Sequence, residues 1–220
     1  MKKDITGIIV AGGPLDHGFA ERFLEKRRYD VVIAVDRGLN AVFNLNLTPD
    51  AIVGDFDSVE QSVLHNYKSR KESITWEIHN PEKDETDTEL ALNTAIRLGC
   101  TKLIILGATG GRQDHFLGNL HLLYPCLKKG VEASIVDERN WITVIEKSRT
   151  FEADKIYGKY ISFLPLSEEV KGITLTGFKY PLFKKDITIG TSLCISNELT
   201  DLSGKVEFDS GTLICVESRD

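Results

Sequence analysis

The chain has 220 residues, 41% hydrophobic and 27% charged, with a net charge of −6. That profile predicts a soluble globular protein of one large or two small domains, and without a long basic run it argues against nucleic acid or an anionic membrane as partner. No apolar stretch has the length of a membrane span or signal peptide, since the N-terminal one breaks at Gly12-Gly13. Cys100, Cys126, Cys194 and Cys215 share no metal-ligand spacing and read as ordinary thiols of a reducing, cytoplasmic compartment.

The first two thirds alternate strand and helix patterns. "TGIIVAGG" reads as a strand running into a glycine turn, and "DHGFAERFLEKRRY" as a helix with Phe19, Phe23 and Leu24 on one face. "DVVIAVD" is a second strand and "GLNAVFNLNL" a short helix. "DAIVGD" is a third strand, followed by the helix "SVEQSVLHNY", for which Ser58 is the expected cap. "ITWEIH" is a fourth strand, and "DTELALNTAIRLG" a helix ending at Gly99 with an inward stripe at Leu90, Ala91, Thr94, Ala95 and Leu98. "KLIILGA" is a fifth strand. The helix "QDHFLGNLHLLYPCLKKG" follows, with Pro125 expected to kink or end it. "EASIVDE" is a sixth strand. β-Branched runs separated by helices predict parallel strands covered on both faces, an α/β three-layer domain.

After about residue 140 the helical period disappears. "WITVIEK", "YISFLPL", "GITLTGFKYPL", "DITIG", "SLCISNEL", "GKVEFDSG" and "TLICVES" read as short strands joined by Gly, Ser and Asp turns, which predicts an all-β sandwich. The expected domains are 1–140 and 141–220.

Ligands of an open parallel sheet bind beyond the carboxyl ends of its strands. Those ends here are Ala11-Gly12-Gly13, Asp36-Arg37-Gly38, Gly54-Asp55-Phe56-Asp57 and Gly107 to Arg112. If Gly54–Asp57 stays extended, the carboxylates of Asp55 and Asp57 point the same way, which suits Mg²⁺ shared with phosphate oxygens. In "KDETDTEL", residues 83–90, helical spacing places Asp87 on the apolar face at the first turn, with Thr86 a candidate cap. "GATGGRQDH", residues 107–115, runs from a strand through three glycines into a helix. Its backbone N–H groups, Gly110 and Gly111 above all, and the forked guanidinium of Arg112 suit phosphate. Asp114 is expected on the same side as Leu117, Gly118 and His121. No Lys-Ser or Lys-Thr follows the glycines, so this is not a Walker A loop.

Together "VDRG", "GDFDS", "KDETDTELAL", "GATGGRQDHFLGNLHLL" and "SNEL" resemble the bacterial thiamine pyrophosphokinases, in order and spacing, over nearly the whole chain. The resemblance implies transfer of the pyrophosphoryl group of ATP to the thiamine hydroxyl, giving thiamine diphosphate and AMP. It implies an α/β domain that binds nucleotide and magnesium, a β-sandwich that binds thiamine and dimerises, and a homodimer with thiamine at the subunit interface. Carried over by position, Asp55, Asp57 and Asp87 match the magnesium and pyrophosphate region. Asp36, Arg37, Thr86, Gly110, Gly111 and Arg112 fall on the ATP and phosphate side, with Asp114 in the same nucleotide segment. Ser196 and Asn197 match the thiamine side; from the residues alone, Asn197 reads as a turn former.

The residues are consistent with that chemistry. Phosphoryl transfer needs charge neutralisation more than covalent help, and no Ser-His-Asp or Cys-His arrangement is evident. Asp87 and Asp114 are both candidates to orient or deprotonate the hydroxyl. A Mg²⁺-dependent phosphoester hydrolase and a nucleotide-binding regulatory module are the rival readings. Thiamine-dependent release of AMP separates all three.

Overall fold

The structure is a computed structural model that describes residues 4–70, 73–79 and 84–220. The chain divides into two compact units, 1–138 and 139–220.

In the first unit, β1 (Thr6–Val10), β2 (Val31–Val35), β3 (Ala51–Gly54), β4 (Thr75–Ile78), β5 (Lys102–Leu106) and β6 (Glu132–Val136) alternate with α1 (His17–Glu25), α2 (Gly38–Asn44), α3 (Gln61–Ser69), α4 (Asp87–Arg97) and α5 (Gln113–Lys128). The strands form a parallel sheet in the order β6-β5-β1-β2-β3-β4. The central strands are buried almost throughout, Ile8, Ile9, Ile33, Ile52 and Ile105 entirely so. That is why they read as continuous β-branched runs and not as alternating ones. Helical crossovers carry the chain outward from β1 to β4, and α4 then brings it back to the other side of β1. The strand order therefore reverses between β1 and β5, which opens a crevice at their carboxyl ends.

Several local expectations change. Helix α3 starts at Gln61 with Glu60 at its cap position, so Ser58 is not its cap but part of the preceding turn. Helix α5 runs through Pro125 to Lys128, because Leu123 and Cys126 on its inner face stay packed and Lys129 N–H closes onto the Pro125 and Cys126 carbonyls. The buried face of α4 is Thr88, Ala91, Leu92, Thr94 and Ala95, while Leu98 is 42% exposed. The stripe is thus rotated from the expected one.

The second unit consists of β7 (Asn140–Ile145), β8 (Arg149–Glu152), β9 (Tyr160–Pro165), β10 (Glu169–Thr176), β11 (Leu182–Thr188), β12 (Asn197–Glu198), β13 (Ser203–Glu207) and β14 (Leu213–Ser218). Antiparallel pairing gives the orders β12-β9-β14-β7 and β11-β10-β13-β8. Both contribute to one core, in which Phe151, Phe163 and Phe178 meet edge to face at 5.7–6.2 Å. Glu217, 5% exposed, accepts from Arg149 at 3.1 Å and from the Tyr157 N–H at 2.9 Å. A buried carboxylate needs such donors on both oxygens. "DITIG" joins β11 instead of standing alone, and "SLCISNEL" contributes only the two residues of β12. Strand β8 has no counterpart in the sequence reading.

Candidate active site

The crevice at the β1–β5 switch point is built by close backbone approach. Ala11 N–H donates to the Leu106 carbonyl at 2.8 Å, and Gly13 N–H to the Gly107 carbonyl at 2.9 Å. A Cβ on Gly13 would lie 2.4 Å from the Gly107 oxygen, and one on Gly38 would lie 2.1 Å from the Val10 oxygen. Glycine at these two positions lets the neighbouring loop and the start of α2 pack directly on the strand ends. Gly107, Gly110 and Gly111 all hold positive φ, and Pro14 lies against the last two. From the second turn of α5, the buried Asn119 donates to the Ala108 carbonyl at 3.3 Å and ties the loop to its helix. Asn119 was not singled out from the sequence, and Gly38 was named there only as part of a strand end. An amide four residues before the buried Leu123 was the available signal for Asn119.

Beside this loop lies an acidic cluster. Asp36, with φ +46°, ends β2 and folds its carboxylate over Gly54, where a Cβ would lie 1.8 Å from Oδ1. That oxygen accepts from Asp55 N–H at 3.3 Å. Asp87 opens α4, whose cap is Thr86: Thr86 Oγ1 accepts from Glu89 N–H at 3.3 Å. Burial first, then the charge of Asp87 and a hydrogen bond with it, then Asp55, push the Asp36 carboxyl up to about 7. Because this acid is raised above its unfolded value of about 3.9, the folded state holds more protons between those values, and stability falls as pH climbs from 4 to 7. Asp36→Asn is expected to stabilise the metal-free protein at pH 8 by about 1 kcal/mol, allowing for solvent screening of a half-open site, with no gain at pH 4. Thermal melting of both proteins across that range checks it; an equal shift at both ends would remove the electrostatic cause.

The pair Asp55 and Asp57 departs from expectation. Phe56 buries its ring against Trp76, edge to face at 5.6 Å, and takes φ +64° to do so. The segment is therefore not extended. It doubles back so that Asp57 N–H donates to Asp55 Oδ1 at 3.1 Å. Asp55 is half-buried beside Asp36, and Asp57 is exposed. The charges of both Asp87 and Asp55 act on Asp36. Among the described residues no group of three or more His, Cys, Asp or Glu stands in metal-holding geometry.

Two arginines flank the loops. Arg37 Nε and Nη2 both donate to the Gly12 carbonyl, at 3.2 and 2.9 Å. Arg112, at the cap position of α5, makes a forked pair with Asp114, Nε to Oδ1 at 3.2 Å and Nη2 to Oδ2 at 2.6 Å. The pair is exposed, as is Leu117 on the same side, and Arg112 holds the Asp114 carboxyl down to about 2. In the second unit Ser196 is exposed with φ +56°, and its N–H donates to Ser162 Oγ at 2.9 Å. Asn197 is 2% exposed, and its carboxamide is engaged by the protein's own backbone.

Comparison with known proteins agrees with these strings. The thiamin pyrophosphokinase catalytic domain family matches residues 23–135, and the thiamin pyrophosphokinase vitamin B1 binding domain family matches residues 143–213. A thiamine pyrophosphokinase of Bacillus subtilis is 37% identical over 96% of this chain and 98% of its own. The crystal structure of thiamine pyrophosphokinase from that organism superimposes with a TM-score of 0.87 at 36% identity, covering 98% of this chain and 99% of its own. That of thiamin pyrophosphokinase from Geobacillus thermodenitrificans gives 0.84 at 36% identity, covering 98% of each chain.

Proposed function

This chain belongs to the thiamin pyrophosphokinase family, transferases that move the pyrophosphoryl group of ATP to thiamine, and we propose that it divides that reaction between its two units. Residues up to 138 bind ATP and magnesium, and residues 139–220 bind thiamine. The observation that carries this reading is the acidic cluster of Asp36, Asp55 and Asp87 beside a glycine loop at a switch point.

The donor set fits magnesium of one kind. Burial first, and then the neighbouring Asp87 and Asp55 carboxylates, push Asp36 towards neutrality, and a cation relieves the part of this that is repulsion. They do not form a closed cage, and Mg²⁺ needs only one or two carboxylates when phosphate oxygens supply the rest. Asp55 and Asp87 would hold it, with Asp57 contributing if its turn opens. When bound, it neutralises charge on the transferring group. Asp36 orients Asp87 and fixes the Asp55 backbone. Backbone N–H groups around Gly110 and Gly111, together with Thr86 at the α4 start, receive phosphate oxygens. Arg37 and Arg112 supply the forked cationic donors. The low Asp114 carboxyl is a poor proton acceptor, which favours Asp87 for orienting the thiamine hydroxyl and leaves Asp114 as the counter-ion of Arg112.

On the acceptor side the reading takes Ser196 and Asn197, and a homodimer with thiamine at the subunit interface. Exposed Phe183, Ile189, Leu193, Ile195 and Leu202 in the second unit supply apolar surface for such an assembly. A cytoplasmic enzyme fits the four buried free thiols and the absence, among the described residues, of any helix long and apolar enough to cross a membrane. Incubation with ATP, Mg²⁺ and thiamine should release AMP only when thiamine is present. Thiamine-independent phosphate or AMP release would move the assignment to a hydrolase.

A further inference from the structure

The geometry assigns Asn197 a positioning role: its carboxamide fixes the backbone corner at Gly177–Tyr180 beside Ser196 and does not itself touch the acceptor. This rests on the reading that the second unit binds thiamine. Asn197 Oδ1 accepts from Tyr180 N–H at 3.0 Å and from Glu198 N–H at 3.0 Å, while Nδ2 donates to the Tyr180 carbonyl at 2.8 Å. Both lone pairs of the oxygen are used, one amide proton is used, and the residue is 2% exposed.

The clamp extends a short ladder. Strand β12 has only two residues, paired with β9 as Asn197↔Ile161 and Glu198↔Tyr160. On its other side the corner attaches through Lys179 N–H to the Glu198 carbonyl at 2.8 Å, Thr200 N–H to the Gly177 carbonyl at 3.0 Å and the bridge Phe178↔Leu199. Tyr180 lies just past these bonds, and the Asn197 carboxamide supplies the pair that backbone cannot. Glu198 is held between Lys159 and Lys179, at 3.4 and 3.1 Å. Asn197 is buried, while Ser196, just before β12 with φ +56°, is exposed. Ser196 and the outer surface of the corner, where Tyr180 is 57% exposed, are then what a ligand can reach.

The test pairs amide hydrogen exchange by NMR with steady-state kinetics on the full chain. In Asn197→Ala the Tyr180 amide should exchange at least about tenfold faster, while Lys179, whose bond is backbone to backbone, changes little. The KM for thiamine should rise about tenfold with the KM for ATP held, and saturating thiamine should slow Tyr180 exchange in the variant. Asn197→Ser keeps a shorter hydrogen-bonding side chain and buries no charge, so it should show the same pattern more weakly, and it carries the test should the alanine variant not fold. A raised thiamine KM with unchanged Tyr180 exchange would mean direct contact and overturn the inference. Faster exchange with an unchanged KM would make the clamp purely structural and also overturn it. Wild-type protein without thiamine-dependent AMP release would overturn the underlying reading, a failure visible before any variant is made.

Discussion

Asp55→Asn is expected to lower kcat by about two to three orders of magnitude while leaving the fold intact. Asparagine preserves the size of the side chain and an oxygen at the Oδ1 position, so the turn closed by Asp57 N–H onto that atom survives. What disappears is one negative charge from the cluster with Asp36 and Asp87. If that charge exists to hold a cation against phosphate, its loss falls on the transition state, where negative charge on the transferring group is greatest. Magnesium titrated calorimetrically into the nucleotide-loaded protein should bind at least about tenfold more weakly in the variant. Circular dichroism checks the fold. A variant within threefold of wild type at limiting Mg²⁺ would place Asp55 outside the reaction. Asp57→Asn is expected to be milder, because Asp57 is exposed and its backbone turns away at Phe56.

Gly38→Ala should destabilise the protein by about 3 kcal/mol or more, whereas Gly118→Ala should stabilise it by roughly 0.5–1 kcal/mol. The added atom is the same in both; the surroundings decide the sign. At Gly38 it would stand 2.1 Å from the Val10 carbonyl oxygen and 2.9 Å from that of Ala11, both backbone atoms at the end of a central strand. Neither can yield without moving β1 or lifting the start of α2 from the crevice. At Gly118, on the exposed face of α5, nothing lies within 4 Å, and alanine only removes the entropy glycine loses in a helix. Urea unfolding of the two variants beside wild type gives both values. A Gly38→Ala loss under 1 kcal/mol would show that the α2 start is not held against β1 as described.

Periodicity carried the fold because burial alone imposes it. Strands covered on both faces must be apolar throughout, as Ile8–Val10 and Ile33–Val35 are, and the loss of helical period after residue 140 marks where antiparallel pairing takes over. The strings at the strand ends were legible for a related reason: glycine, acid and arginine beyond a buried strand have few roles there except to meet a ligand. Asp36 and Asp55, which follow β2 and β3, were read this way, and Asp87 at the start of α4 from its helical spacing. Thr86 as a cap followed from its side chain and its place before an apolar run.

Direction and saturation were decided only by the tertiary structure. The common orientation of Asp55 and Asp57 assumed extended backbone, and Phe56 gave that up to bury its ring on Trp76, a residue on the next strand. Asp36 became a strongly perturbed acid because burial and the neighbouring Asp87 and Asp55 act on it together, a neighbourhood no spacing encodes. Asn197 read as a turn former and as a ligand contact; its partner, the backbone of Tyr180, lies 17 residues away across a sheet edge. The sequence by itself determined most of the elements that form and which chemical groups stand at the strand ends, since those follow from burial and from the few conformations each residue type allows. Which carboxylate faces which, and which polar side chain is already satisfied by the protein, depended on contacts between distant segments, because hydrogen-bond partners and desolvation are properties of the packed chain and not of its local pattern.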